Sequence, residues 1–140
     1  MSRIITPASK KASSIFRRLW RAGDSSVLYS RPAVYYVRQR IREGFEEHKN
    51  VTNENILNDL FERCENTIKF LEISAKRKGF EHKVIYSLCE MTYIQNRYKR
   101  RPPHSNKRLS LELYNMHAHS YDDYYLTVKM MNDSLKLCLR

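Results

Sequence analysis

"SSIFRRLWRAG", residues 13 to 23, decides where the fold begins. It lies in an N-terminal segment that holds six basic residues and no acid before Asp24. Such a segment is either a mitochondrial address that the mature protein loses or the first working helix of the fold. Its periodicity supports a helix over Pro7 to Ala22. Ala8, Ala12, Ile15, Phe16 and Leu19 recur at three- and four-residue spacing, with Lys11, Arg17, Arg18 and Arg21 around them. Gly23 is placed to end this helix, and Asp24 to Arg31 reads as a connection.

Further along, Pro32 suits the first turn of a second helix that reaches about Lys49. Val34, Val37, Ile41 and Phe45 form one stripe on it, flanked by Tyr35 and Tyr36, and such a stripe is ordinarily core. Thr52 or Asn53 caps a third helix, on which Leu57, Leu60, Cys64, Ile68, Leu71 and Ala75 follow near-heptad spacing. Lys76, Arg77 and Lys78 complement its dipole and Gly79 closes it. A fourth helix spans Phe80 to Arg101 before "KRRPP", and Pro102 to Asn106 reads as a linker. Leu109 to His117 is a weak helix. Tyr121 to Leu139 is a stronger one, with Ser120 as cap and Leu126, Met130, Leu135 and Leu139 inside.

The chain has 140 residues, the size of one domain with one modest core. With three Gly, four Pro and no hairpin dipeptide between alternating apolar residues, it is expected to be all-α. A formal charge of +11 calls for an acidic partner, whether nucleic acid, anionic membrane or protein. Cys64, Cys89 and Cys138 are odd in number and lack a CxxC pair, which argues against a disulfide framework or structural zinc. No apolar run approaches the roughly 20 residues of a membrane span.

Two motifs in fixed order carry a family resemblance. "YYVRQRIREGFEEHKNVTN", residues 35 to 53, holds Arg42 and Phe45 as Arg-x-x-Phe, with Lys49 four residues on. On the preceding helix, Ile15-Phe16-Arg17 stands where a Leu-Tyr-Arg tripeptide would be, keeping an apolar residue, a ring and the arginine but losing the hydroxyl. Leu28-Tyr29-Ser30-Arg31 looks closer to the tripeptide but lies too near Phe45 and just before a helix-starting proline. Between about residues 12 and 80 the chain resembles the LYR-motif proteins, small three-helix proteins of mitochondria.

The resemblance implies an antiparallel three-helix bundle over residues 1–80, with 81–140 as a helical extension packed on or projecting from it. It implies a non-enzymatic adaptor or assembly factor in the mitochondrial matrix. Such a protein binds the acidic acyl carrier protein and supports a respiratory complex, the iron–sulfur assembly machinery or the mitochondrial ribosome. Lys10, Lys11, Arg17, Arg42 and Lys49 would meet the carrier. Ile15, Phe16, Val37, Ile41, Phe45, Leu60, Cys64 and Ile68 would line its acyl chain. The chain would need no cofactor of its own, the acyl-phosphopantetheine being supplied by the partner.

Other chemistry has less support. His117 and His119 with Asp122 and Asp123 fix no third ligand, so no metal is expected. No glycine elbow, GxGxxG or Walker sequence appears, and no enzyme is expected. "NRYKRRPPHSNKR", residues 96 to 108, is the best stretch for phosphate contact, through Arg97, Lys99, Arg100, Arg101, Lys107 and Arg108. It supports an alternative reading as a basic helical RNA-binding or ribosome-associated protein, or a second surface for a client complex. A plain solvated linker accounts for it equally well.

Overall fold

The structure, a computed structural model, describes residues 7–100 and 110–140. They form six helices: α1 (Pro7–Ser26), α2 (Ala33–His48), α3 (Glu54–Lys76), α4 (Phe80–Arg100), α5 (Leu111–His119) and α6 (Asp122–Leu135). The fold is an all-α bundle, as composition requires. Arg101, Lys107, Arg108 and the linker at 102–106 lie outside the described residues.

Contacts between the first three helices fix their directions. Along α1 and α2, Asp24 meets Arg38, Trp20 meets Arg38 and Arg42, and Phe16 meets Phe45, so the two run antiparallel. Along α1 and α3, Lys11 lies over Phe61 and Arg18 pairs with Glu65, so those two run the same way. The first three helices therefore go up, down and up. α1 packs mainly on α3, and α4 lies against α3 and, less extensively, α2.

The core joins Ile15, Leu19 and Ala22 of α1 to Ile68, Phe70 and Leu71 of α3 and Ile85 and Leu88 of α4. Residues 13 to 23 are thus a working helix of the fold. Ile15, Leu19 and Ala22 fall on one face, while Lys10, Arg17 and Arg21, at spacings of seven and four, form an exposed stripe on the opposite side. Asn53 is the cap of α3, its side-chain oxygen accepting from the Asn55 N–H at 3.0 Å.

Gly23 does not end α1, which continues one turn to Ser26. Its missing side chain serves helix approach instead: a Cβ there would stand 2.6 Å from Val37 Cγ1 and 3.3 Å from Ile41 Cδ1. Asp24, expected in a connection, is consequently helical and accepts two bonds from Arg38, at 3.0 and 2.7 Å. Gly23→Ala is expected to destabilise the protein by about 1–2 kcal/mol. The overpacking cost outweighs the roughly 1 kcal/mol by which alanine favours a helix, because the β-branched Val37 has little rotamer freedom with which to yield. A lowered urea midpoint checks it.

The last helix also departs from expectation. α6 begins at Asp122, with Tyr121 at the cap position and no side-chain cap bond, while Ser120 closes α5. α6 stops at Leu135, because Lys136 takes a left-handed conformation (φ 49°) and the Leu137 N–H donates back to the Asn132 carbonyl at 2.9 Å. Leu137 and Leu139 then follow in an extended segment and enter the same core as α1 and α3. Here the pattern changes from helical to alternating: in "LKLCLR" every second residue is apolar, so Leu137 and Leu139 share one side of an extended chain.

Candidate functional site

Two features of the α1–α2 pair stand side by side. The first is an aromatic and cationic cluster built at helical spacing. Phe16 and Trp20, four residues apart on α1, have ring centroids 5.4 Å apart, and Phe16 meets Phe45 of α2 edge-on at 5.0 Å. The guanidinium groups of Arg38 and Arg42, also four apart, both lie 4.9 Å from the Trp20 ring centroid. Hydrogen bonds to Asp24 raise the Arg38 pKa further above its ordinary value, so this cation is fixed. Arg42 makes no ion pair among the described contacts and is exposed, leaving its charge for a partner.

The second feature is an apolar groove of about 1480 Å³ beginning beside Phe45. Its walls include Val37, Ile41 and Phe45 from α2, Leu57, Leu60 and Cys64 from α3, Leu88 and Cys89 from α4, and Tyr124 and Val128 from α6. Burial pushes the Cys89 thiol up to about 11, so this sulfur serves as a small apolar surface. On one flank Arg40 donates to Thr92 at 3.1 Å, Glu43 at 3.0 Å and Gln95 at 2.5 Å, tying α2 to α4. Gln95 also donates to the Tyr125 hydroxyl at 2.8 Å and so holds α6 to the same flank.

The residues expected to line an alkyl chain divide between groove and core. Val37, Ile41, Phe45, Leu60 and Cys64 line the groove. Ile15 and Ile68, each 2% exposed, lie in the core beneath α1 instead, and Phe16 stands in the aromatic cluster beside the groove. Helical spacing placed all of them on inward faces but carried no information on which inward face borders a gap.

The basic residues divide as well. Lys10 and Arg17 occupy the exposed stripe of α1, and Arg17 Nε donates to the Ser13 carbonyl at 3.3 Å. Lys11 turns toward α3, its ammonium 4.8 Å from the Phe61 ring centroid. Lys49, two turns beyond Arg42, lies 2.9 Å from Glu46 in an exposed pair, a contact of the kind that contributes roughly 0–1 kcal/mol and yields readily to a partner. Arg97 is exposed near the end of α4, while Lys99 and Arg100 fall in its last turn. His119 lies 3.1 Å from Asp122 in an exposed pair.

Three participants were not among the site residues expected from the sequence. Trp20 is the surface on which both arginines stack, a role that only the α1–α2 crossing reveals. Thr67 is buried and donates to the Arg63 carbonyl at 2.8 Å, and its Oγ1 accepts from the Cys138 N–H at 3.0 Å. Cys138 brings its sulfur to 3.7 Å from Cys64. The hydrogen bond between the two sulfurs raises the Cys64 pKa and lowers that of Cys138.

The rival stretch, Leu28-Tyr29-Ser30-Arg31, forms part of the α1–α2 connection, with Leu28 and Tyr29 at positive φ (52° and 56°) and largely exposed. Ile15-Phe16-Arg17, by contrast, is helical, and its middle residue Phe16 meets Phe45 of α2. A family model described as Complex 1 protein (LYR family) matches residues 10–70, which run from α1 into α3. The chain is also similar to a UPF0593 mitochondrial protein of Schizosaccharomyces pombe, 32% identical over 97 residues that cover 68% of this chain and 73% of that protein. No solved structure matches it. With Phe16 of the tripeptide position on α1 packed on Phe45 of the Arg-x-x-Phe on α2, inside the region that the family model matches, the chain belongs to the LYR family.

Proposed function

We propose that this protein is a non-enzymatic mitochondrial adaptor that binds acylated acyl carrier protein and supports a matrix complex. The observation that carries this reading is the junction of the two features above. Arg42, exposed and stacked on Trp20, stands one helical turn from Phe45, which is both the aromatic partner of Phe16 and a wall of the groove. A carrier helix rich in carboxylates would meet Lys10, Arg17, Arg42 and Lys49, and its thioester-linked alkyl chain would pass Phe45 into the groove. Each buried CH₂ contributes about 0.8 kcal/mol, so a medium-length chain strengthens a contact that salt would otherwise screen. The mitochondrial setting rests on the family and on the fission-yeast relative, itself a mitochondrial protein by name.

Affinity purification from mitochondria followed by intact mass analysis tests the reading. The expected result is a small acidic partner whose mass includes phosphopantetheine and an acyl group. Recovery of RNA with no such partner would instead establish the alternative of a basic helical RNA-binding protein.

A further inference from the structure

The groove is bordered by residues 137–140 of the chain itself. Leu137, Cys138, Leu139 and Arg140 line the same cavity as Val37, Ile41, Phe45 and Leu60. Leu137 and Leu139 are 3% and 8% exposed, so their side chains already occupy apolar space that an alkyl chain would seek. Arg140 reaches across to Glu47 of α2, the helix that carries Arg42 and Phe45.

The way this segment is held makes it removable. The Asn132 amide brackets Leu139, donating to its carbonyl at 2.7 Å and accepting from its N–H at 2.9 Å. Asn66 donates to the Lys136 carbonyl at 3.1 Å, Arg63 to the Leu137 carbonyl at 3.3 Å, and Thr67 accepts from the Cys138 N–H at 3.0 Å. Beyond the Leu137 turn bond, these backbone groups are satisfied by side chains. The segment can leave without breaking a hydrogen bond internal to any helix, and its polar groups can then be met by water. Only one contact has the means to become permanent: Cys138 Sγ, 3.7 Å from Cys64 Sγ on the facing helix.

We propose that residues 136–140 are an internal competitor for the groove, and that a disulfide between Cys64 and Cys138 locks them in it. The occupant they exclude is an alkyl chain, so the inference rests on the carrier-binding reading above. In the locking step the Cys138 thiolate attacks a small-molecule disulfide such as oxidised glutathione, and one glutathione leaves as a thiolate. The Cys64 thiol then gives its proton to the departed glutathione thiolate, and its sulfur attacks Cys138 Sγ of the mixed disulfide, forming the internal S–S bond and releasing the second glutathione as a thiolate that takes a proton from solvent. Two protein thiols are oxidised and one external disulfide is reduced to two thiols. The sulfurs must close from 3.7 Å to about 2.05 Å, a movement within reach of side-chain rotation combined with a small shift of the extended segment.

Titration with the fluorescent fatty acid dansyl-undecanoic acid tests this on the full chain. Leu137→Asp combined with Leu139→Asp should expel the segment and tighten probe binding about tenfold or more. Treatment of the unsubstituted chain with oxidised glutathione should give a mass lower by two hydrogens and weaken probe binding to a similar extent, with reversal by dithiothreitol. Cys138→Ser should abolish the response to oxidant. Should the oxidised chain fail to form the internal disulfide, or bind the probe as the reduced chain does, the proposal is overturned even if the double variant does not fold. Probe binding gated in this way without a carrier in the purified complex would refute only the carrier reading. A carrier that co-purifies with an ungated groove would refute only the lock.

Discussion

Replacing Arg42 by glutamate and Phe45 by alanine together is expected to abolish capture of the acylated carrier, a loss of at least about a hundredfold in affinity. The two changes act on successive parts of one path. Glutamate removes the guanidinium that lies over Trp20 and presents a like charge to an acidic partner. Alanine at 45 removes both the edge-on contact with Phe16 at 5.0 Å and a wall of the groove. Neither residue is among the fully buried core, so helicity by circular dichroism should survive, and Phe45→Leu should recover much of the binding by restoring an apolar wall. Reversing the charges of Lys99, Arg100 and Arg101 should leave capture intact. Equal loss in both variants would show that carrier and client surfaces are not separate.

Much of this site was legible because helical periodicity reports inward and outward faces directly. The stripe Val37, Ile41, Phe45 and the heptad Leu57, Leu60, Cys64 read as apolar from spacing alone, and they do converge on one groove. Features that depend on how two helices cross were not legible. Gly23 looks like a terminator to any local rule, yet α1 continues past it, and the glycine instead makes room for Val37, which approaches too closely for a side chain. Trp20 looks like one more apolar residue of a basic helix until α2 brings Arg38 and Arg42 over it. The error at the end of α6 has another cause. Leu135 and Leu139 are four apart and satisfy a helical template, but they also satisfy an alternating one through Leu137. The competition was settled by tertiary burial: Leu137 and Leu139 are buried while Leu135 is half exposed.

Ile15→Ala is expected to cost about 2–5 kcal/mol, enough to remove a large part of the stability of a domain this size. The three positions that stand for the family tripeptide have different surroundings, and only the first is core. Ile15, 2% exposed, packs in the cluster with Leu19, Ile68 and Leu71, so its truncation leaves a cavity between α1 and α3 that helices already in contact close only in part. Phe16 is half-buried against Trp20 and Phe45, and Arg17 is exposed. Arg17→Ala should therefore move the urea midpoint by no more than about 0.5 kcal/mol equivalent. If it nevertheless weakens carrier capture, the arginine of the motif acts on the partner while the apolar residue acts on the fold. Should Ile15→Ala and Arg17→Ala instead prove equally destabilising, the assignment of α1's faces would be wrong, and with it the separation of a structural side from a carrier-facing side.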